Sequence, residues 1–192
     1  LRARGDRDLA EQLLKDRTVV QAIQQMEENA DRVGARRQLL ATSLRLARGM
    51  APIVDQVMDT CRERLEMDAP LETFVYPDAD FNAAAVRPEG GRMFVLVSSA
   101  LLDNFEPDEL AFVVGHELGH HLFGHLSIPV SAVLEAREHL DPGTLLKLFS
   151  WKRYAEISSD RAGLVCAGGL DPCLCALFKV ASGLRGHRVK VD

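Results

Sequence analysis

The sequence predicts an α+β fold that is mainly helical, with a small antiparallel sheet beside a central apolar helix. Residues 6–31 and 36–67 place apolar side chains at helical spacing. A block of short β-type runs follows between residues 73 and 97. After residue 98 the helical spacing returns and continues to about residue 182. Helices and strands that occupy separate stretches of one chain are typical of an α+β fold.

The chain length of 192 residues suits one domain with a substantial core. Hydrophobic residues make up 47% and charged residues 27%, which is ordinary for a soluble globular protein. We expect residues 1–68 to form a helical segment that packs on a domain of residues 69–192, so that the two form one globular unit. The alternative is a domain that is truncated at its C-terminus.

Charge and hydropathy exclude two classes of partner. The formal net charge of −5 argues against a nucleic-acid binder, because neutralising phosphates requires a basic surface. No apolar run reaches the about 20 residues that a transmembrane helix needs, and the first residues are charged rather than signal-like. The four cysteines are expected to be free thiols. Together these features favour a cytoplasmic protein over a periplasmic or secreted one.

The first half of the chain predicts two long helices. The first covers residues 6–31 and ends near Gly34, since glycine breaks helical patterns. The second covers residues 36–67, with a kink or interruption around Gly49 and Pro52, because proline removes a helical hydrogen bond.

Three strands are predicted next. They cover residues 73–76, 81–86 and 92–97, where β-branched and aromatic residues concentrate. Residues 88–91, which contain proline and two glycines, form a turn signal between the last two runs. These two strands are therefore expected to pair as a hairpin.

Four helices are predicted after the strands. A short one begins at a capping Ser99 and continues through Leu102. A second covers residues 106–125, with proline and two acids in its first turn. The third covers residues 144–167 and the fourth residues 172–182, separated by two glycines.

The helix of residues 106–125 carries a candidate metal site. His116 and His120 lie four residues apart and therefore share one helix face, where two imidazoles can hold one tetrahedral zinc ion per chain. Glu117 lies beside the metal position, where it can act as a general base and acid on an activated water. The alternative is a solvated face that these side chains happen to share. The apolar residues around them favour the zinc site, because ionisable groups in an apolar helix require a reason.

Two other features of this helix are ambiguous. Gly115 and Gly119 either leave room for substrate or allow another helix to pack closely, and the sequence favours neither. His121 and His125 are expected to be packing or surface histidines. The metzincin pattern needs its third histidine one position after His125, and on a continuous helix His125 faces away from His116.

The third protein ligand is predicted to be Glu156. Glu156 and Asp160 again lie four residues apart on a predicted helix, so Glu156 can complete the ligand set and Asp160 can hold the far nitrogen of His116. The alternative is an acid pair that forms helix salt bridges with Arg153 and Arg161. Rival ligands nearer in sequence are Glu135, Glu138 and His139.

The two-part motif resembles that of the M48 family of gluzincin zinc metallopeptidases. The motif consists of His116-Glu-Leu-Gly-His120 followed by Glu156-x-x-x-Asp160. Phe81-Asn82-Ala83, the glycine turn before a strand, and Gly168-Gly-Leu-Asp-Pro172 are also similar to family segments, so the resemblance covers roughly residues 70–182.

The resemblance implies a zincin-like fold and hydrolysis of peptide bonds in a polypeptide substrate. His116, His120 and Glu156 correspond to the zinc ligands, Glu117 to the general base and acid, and Asp160 to the residue behind a ligand. Asn82 and Ala83 correspond to cleft residues that bind an extended peptide. The alternative function is a weakly active or inactive metal-binding or chaperone-type module.

The sequence departs from the family pattern in two places. Membrane members carry transmembrane helices between the two motifs, whereas the interval of residues 128–150 is short and contains Pro129 and Pro142. This resembles a soluble member. Many members also carry a downstream His-Pro segment and an arginine that completes the site, and the sequence up to Asp192 does not contain them. We expect another segment or another residue to stabilise the oxyanion.

Overall fold

Helices dominate the computed structural model, which describes residues 1–135 and 140–185. The helices are α1 Arg4–Leu13, α2 Arg17–Val33, α3 Ala35–Thr42, α4 Pro52–Arg64, α5 Ser99–Asn104, α6 Pro107–Leu122, α7 Val130–Glu135, α8 Pro142–Ala167 and α9 Leu170–Ser182. The strands are β1 Leu44–Leu46, β2 Leu71–Tyr76, β3 Ala83–Glu89 and β4 Arg92–Ser98. The predicted class, an α+β fold that is mainly helical, is confirmed.

The N-terminal helices are more divided than the sequence predicted. The first predicted helix is interrupted before α2, where the Asp16 carboxylate accepts hydrogen bonds from the backbone N–H groups of Thr18 and Val19. Such side-chain bonds favour a new helix start over continuation. The second predicted helix was wrong over residues 44–46, which form β1 because they pair with β2. Pairing with a neighbouring strand outweighs local helical propensity there.

The four strands form one mixed sheet in the order β1-β2-β4-β3. The predicted β3–β4 hairpin is present, and Gly90 and Gly91 take the positive φ angles of 57° and 74° that its turn requires. The prediction of an antiparallel sheet was wrong at one pair, because β2 and β4 are parallel. Strand β4 is mostly buried and lies between β2 and β3, where both of its edges are paired.

Helix α6 lies at the centre of the main core. Its N-terminus is fixed by a capping box, in which the Glu109 carboxylate accepts a hydrogen bond of 2.9 Å from the Glu106 backbone N–H. Helices α4, α8 and α9 and strand β3 pack around α6. A helix surrounded in this way is expected to be apolar on most sides, and its buried hydrophobic residues are Leu110, Ala111, Phe112, Val113, Val114 and Leu118.

Glycines bring α6 and α8 into close contact. A Cβ atom on Gly115 would lie 2.5 Å from the Cβ atom of Cys166, and one on Gly119 would lie 2.9 Å from the Cα atom of Ser159. Both distances are shorter than real side chains allow. Of the two interpretations of these glycines, the structure therefore supports close helix packing.

Three helix ends differ by a few residues from their predicted positions. The cap of α5 is Ser98 rather than Ser99, since the Ser98 side chain accepts a hydrogen bond from the Leu101 N–H. Helix α8 begins at Pro142, two residues earlier than predicted, after a capping Asp141; it ends at Ala167 as predicted, before Gly168, whose φ is 73°. Helix α6 ends at Leu122 instead of His125. Among residues 1–135 and 140–185, no helix has both the length and the apolar character needed to cross a membrane.

Elements before residue 68 share the sheet and the core with later ones. Strand β1 extends the sheet, α4 packs against α6, and α1 packs against α8. The division of the chain into residues 1–68 and 69–192 stays a prediction. All four cysteines are free thiols.

Candidate metal centre

The imidazoles of His116 and His120 converge on the cleft side of α6. Their Nε2 atoms lie 3.1 Å apart, because residues four apart share one face of the helix. The side chains are 19% and 16% exposed, so the pair is largely removed from water while one edge remains accessible.

Helix α8 brings a carboxylate to the same point. The Glu156 Oε2 atom lies 3.3 Å from the Nε2 atom of His116 and 3.9 Å from that of His120. Within the described residues, these three side chains are the group of histidine, cysteine and acidic residues whose ligand atoms all lie within 4.8 Å of one another. The rival Glu135 lies on α7 outside this group. The rivals Glu138 and His139 lie outside the described residues.

Asp160 fixes the orientation and proton position of His116. Its Oδ1 atom lies 2.9 Å from the Nδ1 atom of His116. A carboxylate only accepts hydrogen bonds, so this contact assigns the proton to Nδ1 and leaves a lone pair on Nε2. The lone pair is directed at the point that His120 and Glu156 share, as a metal ligand requires.

His125 contacts the ring nitrogen of His120 that faces away from His116 and Glu156. This contact was not predicted from the sequence. The Nδ1 atoms of His120 and His125 lie 3.0 Å apart, and His125 is only 5% exposed. The predicted orientation of His125 was wrong because α6 ends at Leu122. Gly124 then adopts a left-handed conformation with a φ of 72° and turns the chain back. Gly124, directly before His125, was the sequence signal that could have predicted this turn.

The geometry of the three ligand atoms fits zinc. Nitrogen and oxygen ligands lie about 2.0–2.2 Å from zinc, so two of them on a tetrahedral ion are about 3.3–3.6 Å apart. The observed separations of 3.1, 3.3 and 3.9 Å lie around that range. Two histidines and one carboxylate also leave the fourth position for water or substrate, as in catalytic zinc sites.

A proton occupies this environment when no cation does. Burial lowers the pKa of His116, but hydrogen bonds with Asp160 and Glu156 outweigh burial and raise this pKa to about 10. Burial and the charge of His116 lower the pKa of His120 to about 4. The hydrogen bond with His116 lowers the pKa of Glu156. The site therefore stabilises positive charge, and a metal cation bound there would have to displace a proton.

Glu117 lies between the histidines and the sheet. Its Oε2 atom accepts a hydrogen bond of 2.6 Å from the backbone N–H of Ala85 in β3. Burial raises the pKa of Glu117, while His116 and the Ala85 N–H act in the opposite direction. A carboxylate whose pKa is raised towards neutrality beside a metal position is suited to accept and return a proton.

The predicted cleft residues lie at the start of β3. Ala83 is the first residue of this strand, and Asn82 precedes it with its side-chain amide donating to the Tyr76 hydroxyl at 3.0 Å. Strand β3 is the outermost strand of the sheet on the side of α6, and within residues 1–135 and 140–185 no strand pairs with its outer edge.

A cavity of about 230 Å³ opens beside the candidate site. Its polar lining residues are His116, Glu117 and Asp160, together with Asn82, and Ala83 lines it from β3. The remaining walls are apolar and are formed by Phe81, Leu101, Phe112, Val113, Leu177 and Val180. This combination of an apolar interior and a few polar groups is typical of a ligand pocket.

Comparison with known proteins gives two similarities. Residues 50–140 match the profile described as peptidase family M48. The chain is also 26% identical over 153 residues to the plastoglobule-localized metallopeptidase 48, chloroplastic, of Arabidopsis thaliana. That alignment covers 75% of this chain and 44% of the relative, so the chain spans less than half of the relative's length.

Proposed function

We propose that the chain is a zinc-dependent endopeptidase of peptidase family M48, whose profile matches residues 50–140. The observation that carries this proposal is the convergence of the Nε2 atoms of His116 and His120 with a Glu156 oxygen, within 4.8 Å of one another. When bound by these residues, zinc supplies Lewis-acid polarisation of the scissile carbonyl and lowers the pKa of a water molecule.

Glu117 is the proposed general base and acid. Its carboxylate takes the proton from the attacking water and returns it to the leaving amine. Burial raises its pKa, which makes it a better proton acceptor than an exposed glutamate. Because Ala85 already holds the Oε2 atom at 2.6 Å, the carboxylate is oriented before the substrate binds.

Strand β3 is the proposed docking edge for an extended polypeptide. The Ala85 N–H is directed towards Glu117 and away from β4. Ala83, two residues earlier on the strand, presents its backbone groups on the same edge, since hydrogen-bonding directions alternate along a strand. A substrate strand can pair with this edge, and Asn82 lines the cavity beside it.

The apolar cavity beside Glu117 supports a preference for an apolar substrate side chain. At about 230 Å³ it accommodates a residue such as leucine or phenylalanine. The walls contributed by Leu177 and Val180 belong to α9. We therefore propose extended or unfolded polypeptides with an apolar residue next to the cleaved bond as the substrate class.

The first experiment compares the wild type with Glu117→Gln on unfolded casein, using protein purified without chelator. The wild type is expected to contain about one zinc ion per chain and to hydrolyse casein. Glu117→Gln is expected to keep the zinc and to lose about 10²- to 10⁴-fold in rate, since only the base is removed. The control is Asp108→Asn on the exposed first turn of α6, which makes the same chemical change outside the site.

The outcomes separate the proposal from its rivals. Hydrolysis that survives in Glu117→Gln contradicts the role given to this residue. Zinc without hydrolysis in the wild type indicates a metal-binding or chaperone-type module instead. Wild-type protein without zinc contradicts the metal site itself.

A further inference from the structure

A fully buried carboxylate on the N-terminal helix lies behind the candidate metal centre. Asp6 of α1 is 0% exposed. It accepts hydrogen bonds from Arg2 at 3.0 and 3.1 Å, from the Trp151 indole at 3.2 Å, from the Ser158 hydroxyl at 2.8 Å and from the His125 Nε2 atom at 3.0 Å. Burying a carboxylate is costly unless its oxygens are satisfied in this way. Its position therefore requires a structural or a functional reason.

The hydrogen bonds continue from Asp6 to a proposed zinc ligand. Asp6 only accepts, so the His125 Nε2 atom carries the proton and the His125 Nδ1 atom is an acceptor. The Nδ1 atom of His120 lies 3.0 Å from it and donates. Ser159 offers a hydroxyl to the same His125 nitrogen at the longer distance of 3.5 Å. The lone pair of His120 is consequently left on Nε2, which faces His116 and Glu156.

We propose that Asp6 and His125 are positioning residues for the metal ligand His120, and that helix α1 is therefore part of the metal centre. This inference rests on the proposed zinc site. Asp160 holds His116 directly through its carboxylate, whereas Asp6 holds His120 through the imidazole of His125. Both ligands are thereby fixed in the tautomer that presents Nε2 to the metal.

The competing explanation is that Asp6 only anchors α1 on α8. Trp151 and Ser158 of α8 contribute to such an anchor, as does the bond from the Ala3 N–H to the Ser158 hydroxyl at 3.0 Å. An anchor affects the stability of the folded protein. A positioning residue also affects the zinc affinity of protein that is still folded, so zinc affinity distinguishes the two roles.

The experiment measures the zinc dissociation constant of the full chain by competition with a chromophoric chelator, well below the melting temperature of each variant. Asp6→Asn and His125→Phe are expected to raise this constant about 10- to 100-fold, the usual effect of removing a group behind a ligand. Asp8→Asn makes the same change on the exposed face of α1 and is expected to leave the constant unchanged.

A second control separates stability from positioning. Leu13→Ala opens a cavity in the cluster between α1 and α8 without touching any of these hydrogen bonds. It is expected to lower the melting temperature and to keep the zinc dissociation constant within about twofold of the wild type, because Asp6 and His125 remain in place.

The inference is overturned if Asp6→Asn lowers the melting temperature as Leu13→Ala does but binds zinc like the wild type. His125→Phe leaves the Asp6 carboxylate without one hydrogen-bond donor. If that variant does not fold, the zinc dissociation constant of Asp6→Asn alone decides between the two roles. A wild type that binds no zinc contradicts the proposed function instead, so the two failures are distinguishable.

Discussion

At the scale of single residues, each proposed histidine ligand is held by a partner on another element. Asp160 on α8 contacts His116, and His125 beyond the end of α6 contacts His120. These partners fix which nitrogen carries a proton, so the two Nε2 atoms and a Glu156 oxygen face one another with their lone pairs. Three atoms with lone pairs at separations of 3.1 to 3.9 Å repel one another unless a cation or a proton lies between them.

The assignment of Glu156 as the third ligand is tested by Glu156→Gln. This change keeps the size of the side chain but removes the anionic oxygen that lies 3.3 Å from His116. Removing a group that hydrogen-bonds to a metal ligand lowers metal affinity about 10- to 100-fold. We expect the loss of the ligand itself to lower the zinc affinity by more than this. The measurement is chelator competition. Glu135→Gln on α7, a rival that the structure leaves outside the ligand group, is the control and is expected to bind zinc normally.

Local spacing explains which site residues the sequence could predict. His116 and His120, and likewise Glu156 and Asp160, lie four apart on helices, so their shared face follows from helix geometry alone. Asp6 could not be predicted, because it is 119 residues from His125 and contacts it only through the packing of α1 on α8. His125 was assigned the wrong direction because the helix was extended past Gly124.

At the scale of elements, the contact between α6 and α8 determines the site. One helix supplies both histidines and the other supplies Glu156 and Asp160, so the separation of the helices sets the ligand distances. Gly115 and Gly119 permit this separation, since a Cβ at either position would overlap α8. The close helix crossing and the ligand geometry are therefore one structural feature.

Gly115→Ala tests this dependence. Alanine favours a helix by up to about 1 kcal/mol over glycine, but its Cβ would lie 2.5 Å from the Cβ atom of Cys166, and overpacking costs about 1–3 kcal/mol. We expect a lower free energy of unfolding in urea and a reduced zinc content. In a Cys166→Gly background the cost of Gly115→Ala should shrink, because the clashing side chain is absent. A Gly115→Ala protein with wild-type stability and zinc content would show that the contact is not required.

The elements that the sequence did not predict depend on distant partners. The sequence pattern of residues 44–46 predicts a helix, but these residues form β1 because they pair with β2. The parallel pairing of β2 with β4 likewise depends on tertiary structure, because the buried strand β4 lies between β2 and β3. Capping signals such as Pro107 and Gly168 act locally, and the ends that they mark were predicted within a few residues.

At the scale of the whole molecule, the N-terminal third of the chain is joined to the proposed catalytic centre. Helix α1 contributes Asp6 behind His125, while Arg87 of β3 forms a salt bridge of 3.1 Å with Glu27 of α2. Strand β1 completes the sheet that holds the docking edge at its other side. We therefore expect the N-terminal helices to influence both metal affinity and the cleft.

The proposed metal centre consists of one zinc ion bound by His116, His120 and Glu156 beside Glu117. Anomalous diffraction at the zinc absorption edge, from crystals of Glu117→Gln protein purified without chelator, tests it most directly. We expect one strong peak at about 2.0–2.2 Å from both histidine Nε2 atoms and the Glu156 carboxylate. The absence of a peak there, or a peak whose ligands exclude Glu156, would contradict it.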